Sequence, residues 1–303
     1  MGVPSGFIQL TIPAAANGVP ARMPVSNPFQ RPASAAGALT SASGSVLTDS
    51  AAAWTPNQWT AIPHLVRMIS GVGDGRFFLI TAHTATELTV DAGGADLSAA
   101  LSAGDEYEIC PADTLGSLFG TTSVPLKTGA TALAADQVKL WNGTAWDIYY
   151  HNGTAWRLNG SSENQNATVV FPDEGIFLVH RRSRTVKVFF AGIVPTTVQK
   201  TELPGPATRF AANRFPVKMT LLNSGIAALP GWRASRNVSQ ADTVQLWTGS
   251  QFLTYYFNGT HWKAAGSTGI QDNAVMQRGS AFFVKRTSTA AGLEAFLSQM
   301  PPY

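Results

Sequence analysis

The sequence predicts an all-β protein: β-sandwich-like domains that carry an internal duplication of a meander-containing unit, together with a small β-domain. Three observations predict it. Short alternating apolar segments recur between Gly-, Asn- and Pro-rich punctuation along the whole chain. Helical periodicity is weak, with only 95–104 and 289–300 able to form a turn or two of helix. Finally, VKLWNGTAWDIYYHNGTAWRLNG from Val138 matches VQLWTGSQFLTYYFNGTHWKAAG from Val244 without a gap, at a spacing of 106 residues.

The elements follow in order. Residues 1–37 hold an N-terminal strand and an extended segment. GFIQLTI alternates, with Ile8, Leu10 and Ile12 on one face and Phe7, Gln9 and Thr11 on the other. Such a strand folds back into its own sheet or adds to the open edge of a neighbour, so Phe7, Ile8, Leu10 and Ile12 form a candidate assembly strand. Residues 38–112 carry SVLTD, HLVRMIS, RFFLITAHT, ELTVD and EYEIC between Gly-rich turns, the pattern of a small β-domain inserted into or appended to the rest. Repeat units follow at 113–195 and 219–303, separated by a Pro-, Thr- and Ala-rich stretch at 196–218 that reads as a connection or an extended edge segment. Within the units GIFLVHRR at Gly175 resembles SAFFVKR at Ser280, which implies a deletion of one residue.

The repeated aromatic segment predicts a three-stranded meander in each unit. Two-residue Asn-Gly loops would place Lys139, Trp146 and Ile148 on one face, a poor core. Three-residue loops, each a type I turn closed by a left-handed glycine, gather Val138, Leu140, Trp146, Ile148, Tyr150 and Trp156 inward. The second copy supports this choice, because Thr248 replaces Asn and is strained at the positive φ of a type I′ turn. Asn142, Asn152 and Asn258 stand in N-x-T sequons, but the turn suffices to explain them. On this register Tyr149 and Tyr255 face outward, with Trp141 and Trp247 at the loops. These four rings are a candidate exposed binding surface for sugar; packing under a neighbouring layer is the competing reading.

Composition narrows the chemistry. Charged residues are only 13% of the chain, about half the usual share, so the surface is built from Thr, Ser, Asn, Gln, Gly and Ala. The net charge of +3 implies no nucleic-acid partner, and the run from His180 to Arg184 reads as a solvated strand end. The single cysteine, Cys110, excludes an intramolecular disulfide and a Cys-based metal site, and follows a strand as a buried residue would. Five histidines, at 64, 83, 151, 180 and 261, lack metal-ligand spacing, and SGVGDG at Ser70 reads as a tight turn. No catalytic, metal or cofactor motif is present, although a site assembled from distant strands leaves no local trace. No apolar run is long enough to span a bilayer, and Met1-Gly2-Val3-Pro4 reads as an added start on a mature chain that carries no signal peptide.

GFIQLTIPA, the run GRFFLITAHTATELTVD…GDEYEICPADTLGSLFG and VKLWNGTAWDIYYHNGTAWR together resemble a large paralogous family of uncharacterised secreted proteins of verrucomicrobial bacteria. The resemblance spans most of the chain and implies export; it assigns no activity or ligand to any position. The sequence therefore predicts a non-enzymatic extracellular structural protein. The expected form is a self-assembling subunit of a filament, sheath or surface layer, joined through N-terminal strand addition, with itself as the partner. The rival is a carbohydrate-binding or adhesive cell-surface module whose partner is a polysaccharide.

Overall fold

The computed structural model describes residues 4–203, 205–287, 296–299 and 301. Strands make up 41% of the described residues and helices 6%, which establishes the all-β class. The contacts divide the chain into two compact units, one of Arg31–Thr114 and one of Met1–Gln30 with Leu115–Tyr303, so the smaller unit is an insertion in the larger.

The smaller unit is a seven-stranded antiparallel sheet in the order Ala35–Ala38, Glu106–Pro111, His64–Met68, Phe77–His83, Glu87–Val90, Val46–Thr48, Ser41–Ser43. Alternation along these strands buries Leu47, Val66, Met68, Leu88, Tyr107 and Ile109 in one core. The Tyr107 hydroxyl donates to Asp49 Oδ2 at 2.6 Å, and burial together with that carboxylate pushes the phenol far up. Gly37 lies against this pair: a Cβ there would come within 2.4 Å of the Asp49 carboxylate, so no larger residue fits. Cys110 is buried, and burial pushes its thiol up to about 11, which makes it inert. SGVGDG links His64–Met68 to Phe77–His83 as turns, with Gly71 and Gly75 at positive φ.

The larger unit contains two five-stranded antiparallel sheets of the same design. The first runs Trp156–Leu158, Trp146–His151, Gln137–Trp141, Ile176–His180, Ala21–Val25. The second runs Trp262–Ala264, Phe252–Phe257, Thr243–Trp247, Ala281–Arg286, Ala207–Ala212. In each a three-stranded meander is extended by a fourth strand and then by an edge strand from earlier in the chain. The edge strand of the second sheet comes from the 196–218 stretch, which is thus an integral part of that sheet. A two-stranded ribbon accompanies each sheet: Ser5–Ile12 with Val186–Ile193, and Gln199–Glu202 with Phe296–Gln299. The helical turn expected at 289–300 is strand over Phe296–Gln299, and most of the remainder lies outside the described residues.

Strand pairing corrects two expectations. Lys139 pairs with Phe177 and Gln245 with Phe283, so the spacing of 106 persists through the fourth strand and the inferred one-residue deletion is absent. The hairpin loops have four residues rather than three, because Trp141 pairs with Trp146 and His151 with Trp156. The added residue is the one that Asn caps. Asn142 Oδ1 accepts from the N–H of Thr144 and of Ala145 at 3.1 and 2.9 Å, and Asn152 and Asn258 repeat the bonds. Gly143, Gly153, Gly249 and Gly259 follow at φ between +100° and +109°. At Thr248 the backbone N–H and the hydroxyl both donate to the Gln251 carbonyl, holding the same loop without Asn.

One extra loop residue moves the middle strand to the opposite face. Val138, Leu140, Tyr149 and Trp156 point into the first core with Ile8, Leu10, Ile12, Phe119 and Phe190, while Trp146, Ile148 and Tyr150 turn away from it. Val244, Leu246, Tyr255 and Trp262 occupy the matching positions of the second core.

Candidate functional site

Two of the four rings of the predicted sugar-binding surface are buried, which corrects the expected outward tyrosines. Tyr149 and Tyr255 are 8% and 7% exposed, each inside the core of its own sheet, and burial raises both phenols. Trp141 and Trp247 are half-buried in a third cluster that joins the two sheets back to back, with Trp146, Phe177, Phe210, Phe252 and Phe283. The four-residue loops cause both displacements, since they send each tyrosine inward and bring Trp146 and Phe252 to the joint beside the loop tryptophans.

The joint is reciprocal. Trp141 meets Phe283 edge-on at 5.4 Å, and Trp247 meets Phe177 edge-on at 5.5 Å. Trp146 lies 5.7 Å from Phe283, and Phe252 lies 5.9 Å from Phe177. The backbone repeats the exchange: Ser26 N–H donates to Gly279 O at 2.8 Å, and Ala212 N–H donates to Asp173 O at 2.9 Å. Residue i of one sheet touching j of the other while the counterpart of j touches that of i is the mark of a two-fold interface, here within one chain. Phe210 departs from it. It packs on Trp146 at 5.1 Å and on Phe283 at 4.7 Å, whereas the register places Pro24 at its counterpart in the first sheet.

Buried ionic groups pin the meanders. Asp136 accepts from the N–H of Lys127 and of Arg181 at 2.8 and 2.7 Å and pairs with His180 Nδ1 at 2.7 Å. His180, expected at a solvated strand end, is completely buried, and its Nε2 meets the Arg184 carbonyl at 2.7 Å. In the second sheet Asp242 accepts from Arg233 N–H and Thr287 N–H, and Arg286 stands where His180 does. Each Asp ties a preceding loop to the end of the fourth strand, a structural task. Glu174 is the other unusual group: burial, and then the adjacent Asp173 carboxylate, push its carboxyl up to about 7 against the opposing pull of Arg209. Arg209 is paired with Asp173 at 3.0 Å.

The N-terminal strand is paired with its own chain. Ser5–Ile12 lies antiparallel to Val186–Ile193, and Ile8, Leu10 and Ile12 fill the first core, so these three are not held out for a neighbour. Phe7 is different. It is 72% exposed on the outer face of the ribbon, and Phe189, its diagonal neighbour across the pair, is 56% exposed. Sequence alternation identified Phe7; Phe189 lies in a segment that sequence reasoning did not assign to this face.

Among the described residues no group of three or more His, Cys, Asp or Glu side chains is placed to hold a metal ion, and no helix is long and apolar enough to cross a membrane. Comparisons with protein families, with curated proteins and with solved structures return no match.

Proposed function

We propose that this protein is an extracellular structural subunit that associates with copies of itself in a filament, sheath or surface layer. The observation that carries the reading is the outer face of the N-terminal ribbon, where Phe7 and Phe189 stand as diagonal neighbours in solvent while, among the described side chains of the unit, no other aromatic is exposed. A phenylalanine pair on a two-stranded ribbon gains little from water and much from a covering surface. Among the described residues no further strand pairs with Ser5–Ile12, so its outer backbone edge is also open to a neighbouring chain. Association then uses the strand as it is folded, with its inward residues left in their own core. Low charge and the resemblance of the chain to exported proteins support an extracellular setting.

The test is the Phe7→Ser, Phe189→Ser double variant, compared with the parent chain by sedimentation velocity over a concentration series and by negative-stain microscopy. The parent is expected to associate with rising concentration and the variant to remain monomeric. A monomeric parent, or a variant that assembles unchanged, overturns the reading.

A further inference from the structure

A depression of about 330 Å³ opens between two turns of the larger unit, lined by Ala15, Asn17, Gly18, Pro20, Arg181 and Ser183. Its two walls are fixed to each other. Ala16 and Val19 exchange backbone hydrogen bonds at 3.1 and 2.9 Å across a turn with Asn17 and Gly18 both at positive φ, and Ala15 N–H donates to Arg182 O at 2.8 Å. The lining is rich in donors without work. Asn17, Gly18 and Ser183 donate no hydrogen bond within the chain among the described residues. Arg181 is held by its Nε–H on the Ala135 carbonyl at 2.7 Å, which leaves its terminal nitrogens for a ligand.

The surroundings carry several cations. Arg22 pairs with Val179 across the edge of the first sheet, Val179 pairs with Gln137, and Lys139 stands two residues along from Gln137 on the same face. Strand spacing of about 4.8 Å therefore sets Arg22, Lys139 and Arg181 around one buried valine. Neither Arg22 nor Lys139 forms an ion pair among the described residues. The nearby carboxylate, Asp136, is already occupied by two backbone N–H groups and His180. Burial first, and then Arg22 and Arg181, hold the Lys139 ammonium below its usual range, an independent sign that these cations lie within reach of one another.

We infer that this depression binds an acidic sugar unit of a polysaccharide, with its sulfate or carboxylate on Arg181 and Arg22, its hydroxyls on Asn17, Gly18 and Ser183, and its ring on Ala15 and Pro20. A planar guanidinium takes either oxyanion in two parallel bonds, and the volume is at the small end of ligand sites, about 300–1,000 Å³. A nucleic acid fits less well, since no aromatic ring lines the depression for a base to stack on.

Binding of the full chain to dextran sulfate and to polygalacturonate is measured by calorimetry, with plain dextran, sodium sulfate and duplex DNA as comparisons. One of the acidic polysaccharides is expected to bind, and which one does distinguishes sulfate from carboxylate. The Arg22→Ala, Arg181→Gln double variant is expected to bind about tenfold more weakly, as the loss of charge-assisted bonds requires. Arg278→Ala, an exposed cation elsewhere, is expected to bind like the parent. If the double variant fails to fold, Arg22→Ala alone serves, because the Arg22 side chain is exposed and makes no hydrogen bond or ion pair among the described residues; about a threefold loss is expected. Equal losses in Arg278→Ala, unchanged binding in the variants, or equal competition by plain dextran overturn the inference. So does sodium sulfate binding as tightly per sulfate as the polymer, or DNA binding more tightly than either polysaccharide at matched charge. The assembly reading is independent of this outcome, because binding is measured equally well on the Phe7→Ser, Phe189→Ser variant.

Discussion

Pro24 on the edge strand of the first sheet and Phe210 on that of the second hold matching positions in the joint between the sheets, opposite Phe177 and Phe283. The contacts of Trp141, Trp146, Trp247 and Phe252 with Phe177 and Phe283 exchange pair for pair across the joint, yet Phe210 touches both Trp146 and Phe252, and so sits near the centre with no equal from the other side. Two copies of one ring would compete for that space; one large and one small residue fill it. The first sheet makes room with Gly175, whose added Cβ would come within 2.6 Å of the Phe210 ring and 2.4 Å of Ala281. The comparison teaches that a near-symmetric interface between two similar sheets can be closed by a single asymmetric plug.

Removing the plug is the largest perturbation. Phe210→Ala should cost about 3–5 kcal/mol, the range for a buried phenylalanine, while Pro24→Ala should cost about 1 kcal/mol or less. Urea unfolding followed by tryptophan fluorescence reads both, since Trp141, Trp146 and Trp247 all lie in the joint. Equal costs would show that the asymmetry carries no energy.

Filling the space opposite the plug ranks next. Gly175→Ala should destabilise by about 1–3 kcal/mol through overpacking against Phe210. In the Phe210→Ala background the cost should shrink, because the colliding ring is gone. A cost that stays the same in both backgrounds would place the clash on Ala281 instead.

The acid beside Gly175 gives a pH-dependent comparison. Glu174 has its folded carboxyl raised to about 7, above an unfolded value near 4.5, so the folded state holds the proton more tightly. Its contribution is therefore neutral below pH 4.5 and increasingly unfavourable as pH rises from 4.5 to 7, where the buried group must ionise. Glu174→Gln should stabilise the protein at pH 8 by about 1–3 kcal/mol, reduced from the full linkage value because part of the side chain still reaches solvent, and should have little effect at pH 4. Thermal melts at the two pH values check the sign. The second sheet has Ser280 at the corresponding place and should show no such dependence.

The all-β class and both meanders were legible in the sequence, because period-two alternation and turn residues act locally. The inward faces of the middle strands were not. Loop length decides the face, and Asn142 lengthens its loop with its own side chain, a bond that neither alternation nor glycine reveals. The constant spacing between the sheets through Phe177 and Phe283 was hidden for a different reason: one residue out of register, Phe177, Val179 and Arg181 fall on the identical Phe282, Val284 and Arg286, so the shifted match looks better than the true one. Three-residue loops would have turned Tyr149 and Tyr255 outward. Phe7 lies where alternation places it, but the depression joins residues 15–20 to 181–183, with Arg22 and Lys139 on the strands beside it, through a pairing that only the fold supplies.

The smallest expected effect tests the cap itself, where the two sheets use different residues for one loop. Asn142 accepts two backbone N–H bonds and Thr248 holds the equivalent loop through its hydroxyl, so Asn142→Thr converts the first hairpin to the second one's chemistry. The exposed loop keeps its bonds in water when the cap is lost, which limits the cost of Asn142→Ala to about 1 kcal/mol. Asn142→Thr should cost about half of that or less, and it also abolishes the sequon at 142. If urea midpoints follow this order in unglycosylated protein, Asn142 is present for the turn. Equal costs for Thr and Ala would mean that the hydroxyl at Thr248 does not replace the carboxamide, and that the second hairpin is held by Gly249 and its strand pairing alone.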